Sequence, residues 1–586
     1  MITFYDYLNI GFYFLFVVAV GIYFSRRSKN TSDYFRGGGV LPWWVTGAGA
    51  WMSGFSAWTF TGAAGKIYQT GPYVLLLYYA QIAALFLLYR FTCYRFRRLR
   101  VVTPFEAVRL RFGPGMQQFY TWIRLPIAVI FTCMMLNAVG IFMSAVFGVD
   151  LTMTLVVLGA LVTFVSLLGG SYAVAASDFV QMLLVVTVTL VVSVMALAQP
   201  GIGGVSGLIA KAPPMHFEWG QIARPGFIVF WFLAMTFNHI FVQNSLSDER
   251  ATKYMMAGSD RDARLMVLIP IVGFIVTPIL WIIPPMVAAV LHPDIATFFP
   301  QLKYPQEASF LLTAHEVLPR GMLGLLVCGI FAATLTHADA ILNQGAGMLI
   351  RNFYLPVVNP NCPEKKLLVL SKLATAGFGV AVIVLAVVVG KYRSLGLFDL
   401  LNQLGIALLL PLAVPACVGM FYRRTPWWSV WTTVVLGLAT SCIATFWLTP
   451  DMIPWLAGAL KPEEKTVFFN ISTVVLSIGV SIGWFFFTSL FYERSTPAYK
   501  ASVEEFFQRL ATPLMEAGGP VKESRVFPRS IGNFCLIYGA VVALFALVPN
   551  PPRGRICFLA CGGLMLLVGL VLVRIYRDRP EEKPAL

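Results

Sequence analysis

The sequence predicts an all-α polytopic membrane protein, and three observations carry that prediction. Hydrophobic residues fill 58% of the 586 positions and charged residues only 12%, against roughly one-quarter charged usage in soluble domains. Apolar runs of about 20 residues, enough to cross the hydrocarbon core, recur along the whole chain. Lys and Arg gather in alternate loops, the charge asymmetry that sets membrane orientation. A closed barrel would also satisfy its backbone in lipid, but its strand alternation is absent.

The apolar runs predict about fifteen transmembrane helices. The first, near 5–24, is a span and not a removable signal, because "MITFYDYLNIGFYFLFVVAVGIYF" has neither a basic leader nor a small-residue cleavage motif; its acidic start suggests an outside amino terminus. The second, near 43–65, is interrupted by Gly47, Gly49, Gly54, Gly62 and Gly65 among Ser53, Ser56, Thr59 and Thr61. That composition marks either a discontinuous helix at a transport site or a small-residue face for close helix packing. Plainly apolar runs place spans near 73–95, 118–147, 151–169 and 173–198, then 226–246 and 265–291. The ninth, near 321–350, contains "AATLTHADAILNQ", with Thr334, Thr336, His337, Asp339 and Asn343 close together. A charge inside a span costs at least a few kcal/mol and marks a functional site. Six more spans follow, near 367–390, 396–421, 427–449, 466–492, 530–548 and 555–575. Within the polar stretch 494–529, Phe506, Phe507 and Leu510 form one apolar face, as on a helix lying along the inner membrane surface or making a regulatory contact.

With the amino terminus outside, "SRRSKN", "YRFRRLR", "SDERATKYMMAGSDRDARL", "RNFYLPVVNPNCPEKKLL", "FYRRTPWW" and the tail "RIYRDRPEEK" all fall inside, so the carboxyl terminus is cytoplasmic. The net charge of +16 is mostly this asymmetry and requires no nucleic-acid partner. The nine cysteines are scattered, mostly within spans; Cys557 and Cys561 share a helix face but lack acidic or histidine companions for a metal. No phosphate-binding G-x-x-x-x-G-K-[ST] loop is present, which argues against a primary pump, and the histidines show no metal-ligand spacing, which argues against a membrane enzyme. A signalling sensor would require a further domain after Arg574, where only a short tail remains.

The phrase "SDYFRGGGVLPWWVTGAGAWMSGFSAWTFTGAAGKIYQTG" resembles the opening of sodium:solute symporters, the family of sodium/glucose and sodium/proline cotransporters. "GGSYAVAASDFVQ" (169–181), "AATLTHADAILNQGAGMLIRNFY" (332–354) and "VGMFYRRTPWW" are similar to later segments of that family, in order and at workable spacing. The resemblance covers roughly Asp33 to Arg424 and fades beyond Pro426.

It implies a LeuT-type core of five helices plus five inverted ones, with one helix before it and about four after. The whole chain would be one transporter domain: the first span and inner loop over 1–42, the first repeat over 43–198, the second over 226–421 and accessory helices over 427–586. The sixth core helix has no interior glycine, so an unwound segment there would rest on Thr236 and Asn238. The resemblance places a sodium ion between the break in the first core helix and the eighth, on the carbonyls of Met52, Phe55 and Ala333 and the side chains of Thr336 and His337. His337 departs from the family's Ser or Thr, and imidazole suits transition metals better than sodium. It could turn away to a carbonyl, sit at the edge of the site, or titrate.

A second, inward cation site would use Asp178, Thr336 and Asp339, since two neighbouring carboxylates repel unless a cation lies between them; each aspartate could instead be a structural acceptor. The cation there would be sodium or a proton. For the solute, matching positions are Gly54, Trp58, Thr59, Tyr78, Gln81 and Trp231, with Gln403 near the lining. Arg124 is expected to snorkel to the interface. The implied function is sodium-coupled uptake of a sugar-like polyol across a plasma membrane, such as a bacterial inner membrane, with no organic cofactor; uptake of an amino acid or organic acid, or passive conduction, are the alternatives.

Overall fold

The computed structural model describes residues 2–25, 41–101, 103–168, 171–248, 250–300, 302–393, 395–452, 460–513 and 526–577. Residues 26–40, which carry the start of the family-like phrase, lie outside this description, as do 453–459 and 578–586. No β-strand forms among the described residues, and each of the fifteen expected spans is helical. Among the described residues, thirteen helices are long and apolar enough to cross a membrane. Two features separate thirteen from fifteen. The run Ala57–Arg98 contains both the rear of the first core helix and all of the second, divided where Gly71 takes φ +62°, a conformation that only glycine adopts readily. Leu151–Leu167 is apolar but shorter than the others.

The packing repeats itself between the two halves. The first core helix packs against the seventh, and the sixth packs against the second. The first also meets the fifth, as the sixth meets the tenth, while the third and eighth pair with each other and so do the fourth and ninth. Exchanging each helix for the one five places on returns the same set of pairs, which is what an inverted repeat requires.

The leading helix Phe4–Ser25 lies against the fifth and eighth core helices. It is pinned at one end, where Asp6 Oδ1 accepts from the Gly324 N–H at 2.7 Å and Asn9 Nδ2 donates to the Gly321 carbonyl at 2.7 Å. The carboxylate caps free N–H groups at the start of the eighth helix, Met322–Gly347, and complements its dipole. At the carboxyl end, Val526–Leu544 and Pro552–Ile575 form a helical hairpin.

Three expectations are corrected. The sixth core helix, Pro225–Gln243, is continuous, and Thr236 Oγ1 donates to the Phe232 carbonyl at 2.8 Å, so neither Thr236 nor Asn238 marks an unwound segment. Without an interior glycine, unwinding would forfeit helical hydrogen bonds that nothing in lipid replaces. The amphipathic helix Pro497–Ala511 does not turn its apolar face to lipid: Phe506, Phe507 and Leu510 are buried, packed toward Pro104–Phe112 and Cys93–Arg98. Arg111 reaches Tyr499 Oη at 2.9 Å and Arg98 Nη1 donates to the Leu510 carbonyl at 2.9 Å. Arg124, finally, is only 2% exposed, within the third core helix and not at its surface.

Candidate cation and solute site

The first core helix is broken. Trp43–Met52 ends in a turn at Ser53, where Ser53 Oγ donates back to the Gly49 carbonyl at 2.8 Å. Ser56 is extended, and helix resumes over Ala57–Phe60 and Gly62–Thr70. Among the described residues no hydrogen bond ends on the Met52 or Phe55 carbonyl, so both are available as oxygen ligands. Gly54 is needed for close approach: a Cβ there would lie 2.6 Å from Phe274 Cζ, and Phe274 is itself buried. Gly47 and Gly49 lie in the intact half and pack tightly, a Cβ on Gly47 falling 2.9 Å from the Met266 carbonyl. The glycine-rich segment is therefore both interrupted and closely packed, in different parts of it.

The eighth helix supplies two polar faces. Thr334 Oγ1 accepts from the Ala57 N–H at 3.0 Å, capping the resumed helix directly at the break. Thr336 Oγ1 donates to Asp178 Oδ1 at 2.7 Å and lies 3.2 Å from Gln181 Oε1. Positions two apart on a helix differ by about 200°, so Thr336 turns toward the fifth helix while Thr334 serves the break. His337 follows Thr334 by three and shares its side, whereas Asp339 shares that of Thr336. Ala333 lies inside the continuous helix Met322–Gly347, and its carbonyl belongs to that helix's own ladder. His337 is half-buried; Met52, Phe55, Ala333 and Thr336 are fully buried.

The second predicted set comes together. Asp178 and Asp339 line one cavity of about 30 Å³ with Ser177, Gln181 and Thr336, space for one or two waters or a small cation. Asp339 Oδ1 accepts from Asn343 Nδ2 at 2.8 Å, and Gln181 Nε2 donates to Tyr13 Oη of the leading helix at 3.0 Å. The sequence reading missed Lys253, whose Nζ sits 3.3 Å from Asp178 Oδ2. Its loop registered only as a basic inner segment, and nothing local signals that the chain folds back there.

The solute candidates lie between the first, second, sixth and tenth helices. Trp58 stacks on Phe398 at 5.5 Å and its Nε1 donates to the Leu397 carbonyl at 3.1 Å. Trp231 stacks on Tyr73 at 5.1 Å. Gln81 Oε1 accepts from Gln243 Nε2 at 3.3 Å, and Gln243 also approaches His239 Nδ1 at 3.3 Å. Thr59 Oγ1, Tyr78 Oη, Trp231 Nε1, Gln243 Oε1 and His239 Nε2 are buried with no hydrogen-bond partner among the described residues. Such a set is costly unless something satisfies it. Gln403 is half-buried in the helix Leu397–Leu404 and shows no described hydrogen bond to this set. His239 and Gln243 escaped the sequence reading because a single His and Gln at i, i+4 look like ordinary interior polar residues.

The sodium:solute symporter family matches residues 34–426. The chain belongs to that family. Its members are transporters, not enzymes. This symporter is 24% identical to a sodium/glucose cotransporter of Vibrio parahaemolyticus, over 72% of this chain and 82% of that one. It is 25% identical to a sodium/sialic acid symporter of Proteus mirabilis, over 75% and 88%, and 23% identical to human sodium/myo-inositol cotransporter 2, over 81% and 75%. The solved structure of a substrate-bound, outward-open, sodium-coupled sialic acid symporter superposes with a TM-score of 0.68 at 17% identity, over 84% of this chain and 98% of that one. The symporter therefore has the LeuT-type fold expected from its sequence, and sodium is its family's coupling ion.

Proposed function

We propose that this symporter couples inward sodium movement to uptake of a sugar or sugar-like polyol by alternating access across a plasma membrane, with its amino terminus outside and carboxyl terminus cytoplasmic. The observation that carries the coupling is the break at Ser53–Ser56, which frees carbonyl oxygen beside the Thr334-bearing eighth helix. A hard monovalent cation takes such oxygens, and the unwound backbone supplies them without cost to helix hydrogen bonding. Met52 and Phe55 are the backbone ligands of this reading; of the family's further set, Ala333, Thr336 and His337, Thr336 turns to the fifth helix and forms the second site with Asp178 and Asp339.

The solute class rests on the lining. Aromatic plates with a few amides and hydroxyls suit a polyol, and the buried orphan atoms of Thr59, Tyr78, Trp231, Gln243 and His239 offer both donors and acceptors to hydroxyl groups. An organic acid would want a free cation. Lys66, on the rear half of the first helix, is already held by Glu463 at 2.7 Å and Asp399 at 3.9 Å.

One charge crossing 100 mV contributes about 2.3 kcal/mol and a tenfold sodium gradient about 1.4 kcal/mol, together enough for accumulation of several hundred-fold. Purified protein in sealed vesicles tests the reading with labelled glucose, myo-inositol, sialic acid and proline. The expected result is accumulation of a sugar or polyol above equilibrium only under an inward sodium gradient. Equilibration without accumulation would make the chain a passive conductor, and accumulation driven by a proton gradient alone would remove sodium as the coupling ion.

A further inference from the structure

One carboxylate of the inner cavity already has a cation supplied by the chain beside it. Lys253 sits on the short helix Ala251–Met255, which follows the sixth core helix, and is only 8% exposed. Its Nζ lies 3.3 Å from Asp178 Oδ2, while Asp178 Oδ1 accepts from Thr336. Gly49 makes room for the pair: a Cβ there would lie 2.8 Å from Asp178 Oδ2 and 3.3 Å from Lys253 Nζ. One ammonium thus ties the segment after the sixth helix to the fifth, against the intact half of the first, and through Thr336 to the eighth.

The charges do not balance locally. Asp178 and Asp339 both line the cavity of about 30 Å³, and Lys253 is paired with only one of them. The side chains that hydrogen-bond Asp339, Asn343 at 2.8 Å and Ser166, bring no charge. Arg250, three residues before Lys253, pairs with Asp248, with Nη2–Oδ2 at 2.6 Å and Nε–Oδ1 at 2.9 Å. Two buried carboxylates facing one ammonium leave room, in charge and in volume, for one small cation, and that cation would repel the ammonium across the same carboxylate.

We propose that Lys253 is a tethered cation that competes with sodium for Asp178. Without sodium the ammonium holds Asp178 and latches Ala251–Met255 to the fifth helix. Sodium entering between Asp178 and Asp339 displaces it and frees that latch. The inference rests on the sodium-coupled reading above and adds to it a residue that sets the ion's affinity and links ion occupancy to the basic-loop gate.

The test is the midpoint of sodium-dependent thermal stabilisation of the purified full-length chain, with potassium at matched ionic strength as control, for the parent and Lys253→Gln. Competition predicts a midpoint about tenfold lower without the ammonium, within the usual range of coupling between sites. An unchanged or higher midpoint in a cooperatively melting Lys253→Gln protein overturns the proposal. Should Lys253→Gln not fold, Asp339→Asn is compared with Lys253→Gln/Asp339→Asn, where the double variant keeps the parent's charge balance; it too must show the lower midpoint, and equal midpoints overturn the proposal. If sodium does not stabilise the parent over potassium, the sodium-coupled reading itself fails, an outcome distinct from equal midpoints in proteins that do respond to sodium.

Discussion

The first and sixth core helices occupy equivalent places in the two halves of the core, yet only one of them is broken. The first carries Gly54 and serines at its gap, and Thr334 of the eighth helix caps the resumed segment. The sixth runs unbroken from Pro225 to Gln243 and presents Trp231, His239 and Gln243 toward the second helix. A pseudo-symmetric backbone therefore takes two different forms. In the proposed function, the half with glycine opens carbonyl oxygen for an ion, and the half without it keeps its ladder and offers side chains for a solute. Symmetry sets where the helices lie; local composition sets what each can bind.

The largest expected effect comes from closing the gap. Gly54→Val places a branched side chain against buried Phe274, 2.6 Å from the first atom beyond the backbone; overpacking of this kind costs about 1–3 kcal/mol. Sodium-driven uptake should fall to background, with a lowered melting temperature. Uptake within twofold of the parent would mean the gap is not part of the transport site.

A smaller loss is expected from Thr334→Val, which keeps the shape but leaves the Ala57 N–H uncapped, at about 1–3 kcal/mol for a buried unsatisfied donor. The half-saturating sodium concentration should rise several-fold while the solute KM measured at saturating sodium stays near the parent's. A change in the solute KM alone would assign Thr334 to the wrong partner.

The smallest effect is predicted on the unbroken helix. Thr236→Gly should cost about 0.3 kcal/mol of helix propensity and leave the sodium dependence of uptake unchanged, read from the same transport curves. A shift as large as that of Thr334→Val would show that the sixth helix does open during transport, and the contrast between the halves would disappear.

The spans were legible because lipid permits few solutions: a segment of about 20 apolar residues must be helical there. The gap at Ser53–Ser56 was legible for a related reason, since glycines and hydroxyls in such a segment are conspicuous. An unwound sixth helix was expected from symmetry alone, and Pro225–Gln243 had no composition to support it. The roles of Thr334 and Thr336 were harder to separate, because which face of the eighth helix meets the gap depends on tertiary rotation, not on spacing. Lys253 was invisible because a lysine in a basic loop between spans is unremarkable, and only the fold-back of Ala251–Met255 onto Asp178 sets it apart. The amphipathic helix was recognisable from Phe506, Phe507 and Leu510, but periodicity cannot distinguish lipid from Pro104–Phe112 as the surface that covers it.

The central claim is that sodium is held by oxygen atoms of the broken first helix and the fifth–eighth helix face. Equilibrium binding of radioactive sodium to the purified chain tests it most directly, comparing the parent with Thr336→Ala, which removes the hydroxyl 2.7 Å from Asp178. Saturable binding in the parent, weakened at least tenfold in the variant, is the predicted result. Saturable binding of equal strength in both proteins would contradict it.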